Sequence, residues 1–287
     1  MHGSTDPASI FAYARAYPYD PPAFGYRFRH DAAALQRAEA RDIASHGSTE
    51  DEVPVSDLTV ALDGDGALRR YERRVAVIAA GSNASFTRLK TKFAATGAPG
   101  DFPVLKARLR GVVSVYSAHV SRYGSIPGTL TGEAGAVSEL HIAFLDPGEL
   151  KRLNGSESLG KNYALALLRG LDADFGHGCT LDAALAYVSR RGAYAPDGAP
   201  VRLSAFRTRG SRHAAAGQED MLERARRHLG HDGPLERFVH ERASDEAVRG
   251  ERVRIMAASA VPCRIAGMRS VAGGLDAPQA RLPDDFR

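Results

Sequence analysis

The stretch VAVIAAGSNASFTRLKTKFAA (75–95) decides how this chain is read. Val75–Ala80 is a continuous apolar run, read as a strand, that breaks abruptly at Gly81-Ser82-Asn83. Ser85 is placed to cap the segment that follows, where Phe86, Leu89 and Phe93 recur at helical spacing over 85–95. The order is strand, tight glycine turn, helix. The first backbone N–H groups of a helix have no partner within it, so a carboxylate or an oxyanion fits at such a turn. It is no Walker loop, which needs G-x-x-x-x-G-K-[ST], and a plain tight turn accounts for the same residues.

Upstream, LTVALDGDGALRRYERR (58–74) predicts a hairpin about Asp63–Gly66, because Asp-Gly supplies turn conformations. Residues 1–56 hold Phe11, Tyr13, Tyr17, Tyr19, Phe24, Tyr26 and Phe28 among prolines. That is too aromatic for disorder, so this segment is expected to wrap over the main body as edge strands. Within it DAAALQRAEARD (31–42) predicts a short helix, and the polar HGSTEDEVPVSD (46–57) a linker.

Downstream, ARLRGVVSVYSAHV (107–120) alternates in part, with a bend or bulge expected at Gly111. A short strand or edge is read over 124–130, a turn at TGEAG (131–135) and a strand at AVSELHIAFL (136–145). DPGELKRLN (146–154) opens a helix capped by Asp146, with Pro147 in its first turn. A last hairpin is expected between LAYVSRRG (185–192) and VRLSAF (201–206), then helices over 218–230 and 234–246; beyond Met256 the pattern fades.

The composition, 44% hydrophobic and 25% charged over 287 residues, is that of an ordinary globular protein. No apolar run is long enough to span a bilayer, and MHGSTDPASI has no basic region followed by an apolar one. Cys179 and Cys263 make no disulfide framework. A cytoplasmic protein without a membrane partner is expected. Arginines number 33 against five lysines, at a net charge of +4. They mix with acids, as in RRYERR (69–74), which points to solvated surface rather than to a nucleic-acid patch.

Glu157, in LKRLNGSESLGKNY (150–163), lies just beyond the helix opened at Asp146. With it the order and spacing of the pieces over residues 73–210 resemble the gamma-glutamylcyclotransferase family. The resemblance rests on GSN after the strand at 75–80, the long strand at 107–120, YGSIPGTL (123–130), and LDPGELKRLNGSE (145–157), with Tyr163 beyond it. It implies an α+β fold: a small mixed β-barrel with flanking helices and one pocket at its mouth. Residues 1–72 would be an N-terminal extension packing on that core, and 211–287 a C-terminal helical extension and tail. It also implies Glu157 as general acid/base, with Gly81, Ser82, Asn83 and Tyr163 binding a small γ-glutamyl substrate. The substrate's amine attacks its own γ-carbonyl and yields 5-oxoproline, with no metal and no cofactor. Two positions depart from the family pattern. Ala80 stands where an aromatic usually precedes GSN, leaving Tyr13, Tyr17, Tyr26 or Tyr123 to fill that wall, and Asn154 replaces an aspartate.

Two other classes stay open on the sequence: a binding module on the same barrel without turnover, and a polyanion or nucleic-acid binder. Asp172, Asp174 and His177 have metal-ligand chemistry but read as a polar glycine-rich loop. His228 and His231 read as surface residues. His119 and His141 lie on strands, where either could line the barrel, although a hydrogen-bonded structural histidine is the usual case. Ser82 and Ser125 do not fit G-x-S-x-G.

Overall fold

A computed structural model of the chain describes residues 6–47, 49–64, 66–94 and 100–287. In chain order these form α1 (Pro7–Arg15), β1 (Tyr26–Arg29), β2 (Gln36–His46), β3 (Val55–Leu62), β4 (Leu68–Ala79), α2 (Phe86–Ala94), β5 (Asp101–Tyr116), β6 (Gly128–Leu145), α3 (Pro147–Ser156), β7 (Tyr163–Gly176) and β8 (Cys179–Ser189). Four two-residue strands follow, β9 (Ala193–Tyr194), β10 (Arg202–Leu203), β11 (Thr208–Arg209) and β12 (Ala215–Ala216). The chain closes with α4 (Gln218–His228), α5 (Leu235–Ser244), α6 (Glu246–Ala258), β13 (Ala260–Val261) and β14 (Met268–Ala272). The architecture is α+β, with a large, mostly antiparallel sheet and six α-helices among the described residues. No helix among them is long and apolar enough to cross a membrane.

β4 organises the sheet. Its first half pairs with β3, while Val75–Ala79 pairs antiparallel with β6 and, at Val77 and Ile78, parallel with β8. β6 pairs with β5, β5 pairs with β7 at Arg108–Arg110, and β7 returns as a hairpin to β8. Strands β4, β6, β5, β7 and β8 thus pair in a cycle. The unbroken apolar run at 75–80 has a physical reason, because β4 is covered on both faces. Val75 and Val77 pack with Phe86, Leu89 and Phe93 of α2 and with Leu150 and Leu153 of α3. Ala76, Ile78 and Ala80 pack into the opposite core with Leu140, Ile142 and Phe144 of β6.

Several expectations hold. Asp63–Gly66 turns the β3–β4 hairpin, although Asp65 lies outside the described residues. Gly111 (φ 73°) sits where the β5–β6 register shifts. Asp146 caps α3 in a reciprocal box with Glu149, behind Pro147. The helix read over 85–95 is α2, its last residue outside the described range.

Others are corrected. The stretch 31–42 is not a helix. Most of it is β2, where Ala38 and Ala40 are buried at alternate positions and pairing with β1 and β3 outweighs the helix preference of its alanines. β1 is no edge strand, since it pairs with β2 on one side and β5 on the other. The expected linker ends in β3, which begins at the buried Val55. TGEAG is not a turn but the middle of β6, with Gly132 held against the Arg264 carbonyl at 2.8 Å. Leu185–Ser189 belongs to β8 and pairs with β7 rather than with 201–206. A further helix, α6, begins at Glu246, and the tail beyond Met256 contributes β14, which pairs with β7. The boundary drawn at 72/73 falls inside β4, and residues from all three drawn segments join one sheet.

Candidate functional site

The site is built where β4 and α3 end. After β4 the chain passes Gly81 (φ −167°), makes a 3-10 turn at Ser82–Ala84, and enters α2, where Ser85 Oγ accepts the Arg88 amide at 3.3 Å. α3 starts from its capping box, anchors itself through buried Leu150 and Leu153, and ends at Glu157, its C-cap. Asn83 and Glu157, 74 positions apart, meet there: Asn83 Nδ2 donates to Glu157 Oε1 at 3.1 Å. Lys92 of α2 completes the triangle. Its Nζ donates to Asn83 Oδ1 at 2.7 Å and pairs with Glu157 Oε1. Ser156 Oγ adds a third contact to Glu157 Oε1 at 3.3 Å. The Lys92 and Glu157 side chains are only 10% and 11% exposed. All these bonds fall on Oε1, so Oε2 is left without a partner among the described residues.

Tyr17 enters from the segment after α1. Its hydroxyl accepts the Gly128 amide at 2.7 Å, and the carbonyl of the same glycine accepts from Tyr163 Oη at 2.8 Å. Burial pushes both phenols well above the ordinary tyrosine value, so both keep their protons. Tyr17 Oη also fills the space in which a side chain at Gly81 would lie. Of the four tyrosines proposed for the wall vacated at Ala80, Tyr17 is the one that lies against Gly81. Tyr13 accepts from Arg88, Tyr26 donates to the Ala84 carbonyl at 3.0 Å, and Tyr123 bonds Arg122.

Gly81, Ser82, Asn83, Glu157 and Tyr163, the residues singled out from sequence, all line one cleft of about 1580 Å³, together with Tyr17 and Lys92. No family model, no curated protein and no solved structure matches the chain.

His119 also lines the cleft, edge-on to the Tyr163 ring at 5.1 Å. Ser117 Oγ donates to Ser189 Oγ at 2.7 Å and lies 2.6 Å from His119 Nδ1. With the serine proton committed, Nδ1 carries the imidazole hydrogen and Nε2 offers a lone pair. Burial, with Arg191 adding, pulls this histidine down to about 3, so it stays neutral. The remaining candidates are engaged elsewhere. Asp172 and Asp174 pair with Arg110 and Arg108 on the sheet, and His177 turns the β7–β8 hairpin near Glu39. His228 bonds Tyr194, His231 bonds Glu241, and His141 donates to the Phe24 carbonyl.

Lys92 and Gly128 were not singled out by sequence reasoning, and His119, which could line the barrel, was read as a structural histidine. Lys92 carried a usable signal, since it lies on the helix that the GSN turn starts. Gly128 carried none, because its role depends on two tyrosines more than thirty positions away on either side. Chemically the arrangement offers a carboxylate with one oxygen fixed and one free, a neutral phenol able to donate, and a neutral imidazole able to accept.

Proposed function

We propose that the chain is an enzyme of the gamma-glutamylcyclotransferase type, acting on a γ-glutamyl amine or peptide. The observation that carries this is the 3.1 Å contact of Asn83 with Glu157, which sets the acid at the wall of the cleft that the glycine turn lines. The cycle of pairings through β4, β6, β5, β7 and β8 supports the small barrel that goes with it. Glu157 is already matched to a primary ammonium, because Lys92 presents one to it.

In this mechanism the substrate's α-ammonium gives a proton to Glu157 Oε2, and the freed amine attacks the carbonyl carbon of its own γ-amide. A C–N bond closes the five-membered ring while the carbonyl oxygen gains negative charge. The Tyr17 hydroxyl, polarised by the Gly128 amide, donates to that oxygen. Collapse breaks the original C–N bond; the departing nitrogen takes the proton back from Glu157, and the second proton of the attacking nitrogen passes through the same carboxylate, so the amine leaves as its ammonium. Atoms balance between substrate, 5-oxoproline and amine. Because the attack is intramolecular, holding the glutamyl chain folded supplies much of the rate.

The test is mass-spectrometric detection of 5-oxoproline from a panel of γ-glutamyl amino acids, peptides and amines. Wild type should release it, while Glu157→Gln, still folding cooperatively, should not. No release from any member of the panel by the wild type sinks cyclisation. The Lys92–Glu157 pair also favours a second possibility, a binding module without turnover, in which a ligand raises the melting temperature and is recovered unchanged.

A further inference from the structure

Over most of the molecule the arginines are neutralised where they stand. Arg27 and Arg69 meet Asp101, Arg74 meets Glu149, and Arg237 and Arg252 meet Glu241. The cleft differs. Ten lysines and arginines line it against two glutamates, and four of the chain's five lysines are among them. Arg88, Lys90, Arg122, Lys151, Arg191 and Arg249 have no carboxylate within 4.0 Å among the described residues. They come from five separate pieces of chain: α2, the loop after β5, α3, the loop after β8, and α6.

Their surroundings show charge waiting for a counter-ion. Arg88 lies against three tyrosines, bonded to Tyr13 and stacked over Tyr19 and Tyr123. Burial works to raise the Tyr123 phenol, yet bonds from Arg88 and Arg122 hold it below its ordinary value. Arg191 Nε is buried with no hydrogen-bond partner among the described residues. Like charges facing one hollow repel each other, and an anionic occupant removes that cost. Arginine forks and lysine point charges both suit phosphate and carboxylate groups. The volume, about 1580 Å³, also exceeds the roughly 300–1,000 Å³ of ordinary small-ligand pockets. The cations ring a concavity rather than running along an open face, which favours a compact ligand over a nucleic-acid strand.

We propose that this cleft binds a small molecule carrying several negative charges, phosphate or carboxylate, and that this molecule is the amine portion released by the cyclisation. The second clause rests on the proposed cyclisation; the first stands without it.

The experiment is isothermal titration of the full chain with inorganic tripolyphosphate and, in a parallel arm, with citrate, which separates a phosphate from a carboxylate preference. At least one should bind, with affinity falling as salt rises. Arg122→Glu and Lys151→Glu, both at exposed positions, should each weaken it, and together by about tenfold or more. Arg209→Glu, exposed on β11 outside the cleft, should leave it unchanged. The single variants carry the test if the double one fails to fold. Binding of neither probe, equal weakening by Arg209→Glu, or binding only to long single-stranded nucleic acid overturns the proposal. A wild type that binds tripolyphosphate or citrate yet releases no 5-oxoproline removes the cyclisation alone.

Discussion

Tyr17 Oη occupies the space that a side chain at Gly81 would need. Gly81 has an extended φ of −167° that any residue adopts, so glycine is required there by space and not by backbone conformation. Gly81→Ala should therefore cost about 1–3 kcal/mol through overpacking. Tyr17→Phe should cost about 1–3 kcal/mol by leaving the buried Gly128 amide without its acceptor. The double variant should lose less than the sum, because phenylalanine vacates the contested space. Urea midpoints of the four proteins check this. Additivity within about 0.5 kcal/mol would mean the two residues do not meet.

The Lys92–Glu157 pair should behave as one unit. Lys92→Met strands a carboxylate that keeps only Asn83 and Ser156, and Glu157→Gln strands an ammonium on Asn83 Oδ1. Each change should cost about 1–3 kcal/mol, less than the roughly 3–5 of a fully buried pair, because a little of each side chain reaches water. Combining them should recover about half of the summed loss. Denaturant titration of the two single variants and the double one decides it, and a strictly additive double variant would deny the pairing.

The parts of the fold visible in sequence were those whose pattern is local. The apolar run before GSN, the Asp146 cap and the Asp-Gly turn each announce themselves within a few residues, and each formed. The parts that were missed depend on distant partners. β2 looks helical until β1 and β3 flank it, and β7 hides behind Gly170 and an Asp-rich stretch whose acids pair with arginines of β5. At the site, Gly81, Ser82, Asn83 and Glu157 were legible because they sit at element ends, where side chains are free to meet a ligand. Tyr17 appeared only as one of four candidates, since choosing among them needs the path of the N-terminal segment over the β4 turn. The even mixing of arginine with acids along the sequence concealed the unneutralised cleft, because pairing is decided in space.

Acid should destabilise the fold through two buried histidines. His119 is pulled down to about 3 and His141 to about 4, burial being the main cause for both. Among the described residues, the groups facing His119 are Ser117, the Tyr163 ring and Arg191; those facing His141 are the Phe24 and Pro22 carbonyls, the Tyr26 ring and Lys106. None is a carboxylate that could welcome a proton. Above about pH 6.5 both rings are neutral folded and unfolded, and their contribution is complete. As pH falls from there toward 4, the unfolded chain takes up protons that the folded one refuses, so stability drops. His119→Gln or His141→Asn should each flatten the slope of unfolding free energy against pH by up to about 1.4 kcal/mol per unit between pH 6 and 5. Slopes unchanged in both variants would contradict buried neutral imidazoles.

Arg242 of α5 gives the opposite kind of test, a substitution expected to stabilise. Its side chain is fully buried and, among the described residues, makes one hydrogen bond, Nη2 to the Gly124 carbonyl at 2.6 Å, while Nε and Nη1 have no partner among them. The guanidinium lies over the Phe238 ring at 4.3 Å. Burial, with Arg252 adding, pulls it down to about 9, so it remains charged at pH 7. A buried charge without a counter-ion is costly, and exchange for an apolar side chain of similar length removes that cost. Arg242→Met should raise stability by about 1–3 kcal/mol after loss of the Gly124 bond. Arg242→Ala should lower it by leaving a cavity over Phe238. Chemical denaturation at pH 7 separates the two substitutions. A loss for Arg242→Met as large as that for Arg242→Ala would show that the guanidinium holds α5 to the Gly124 loop by more than its packing.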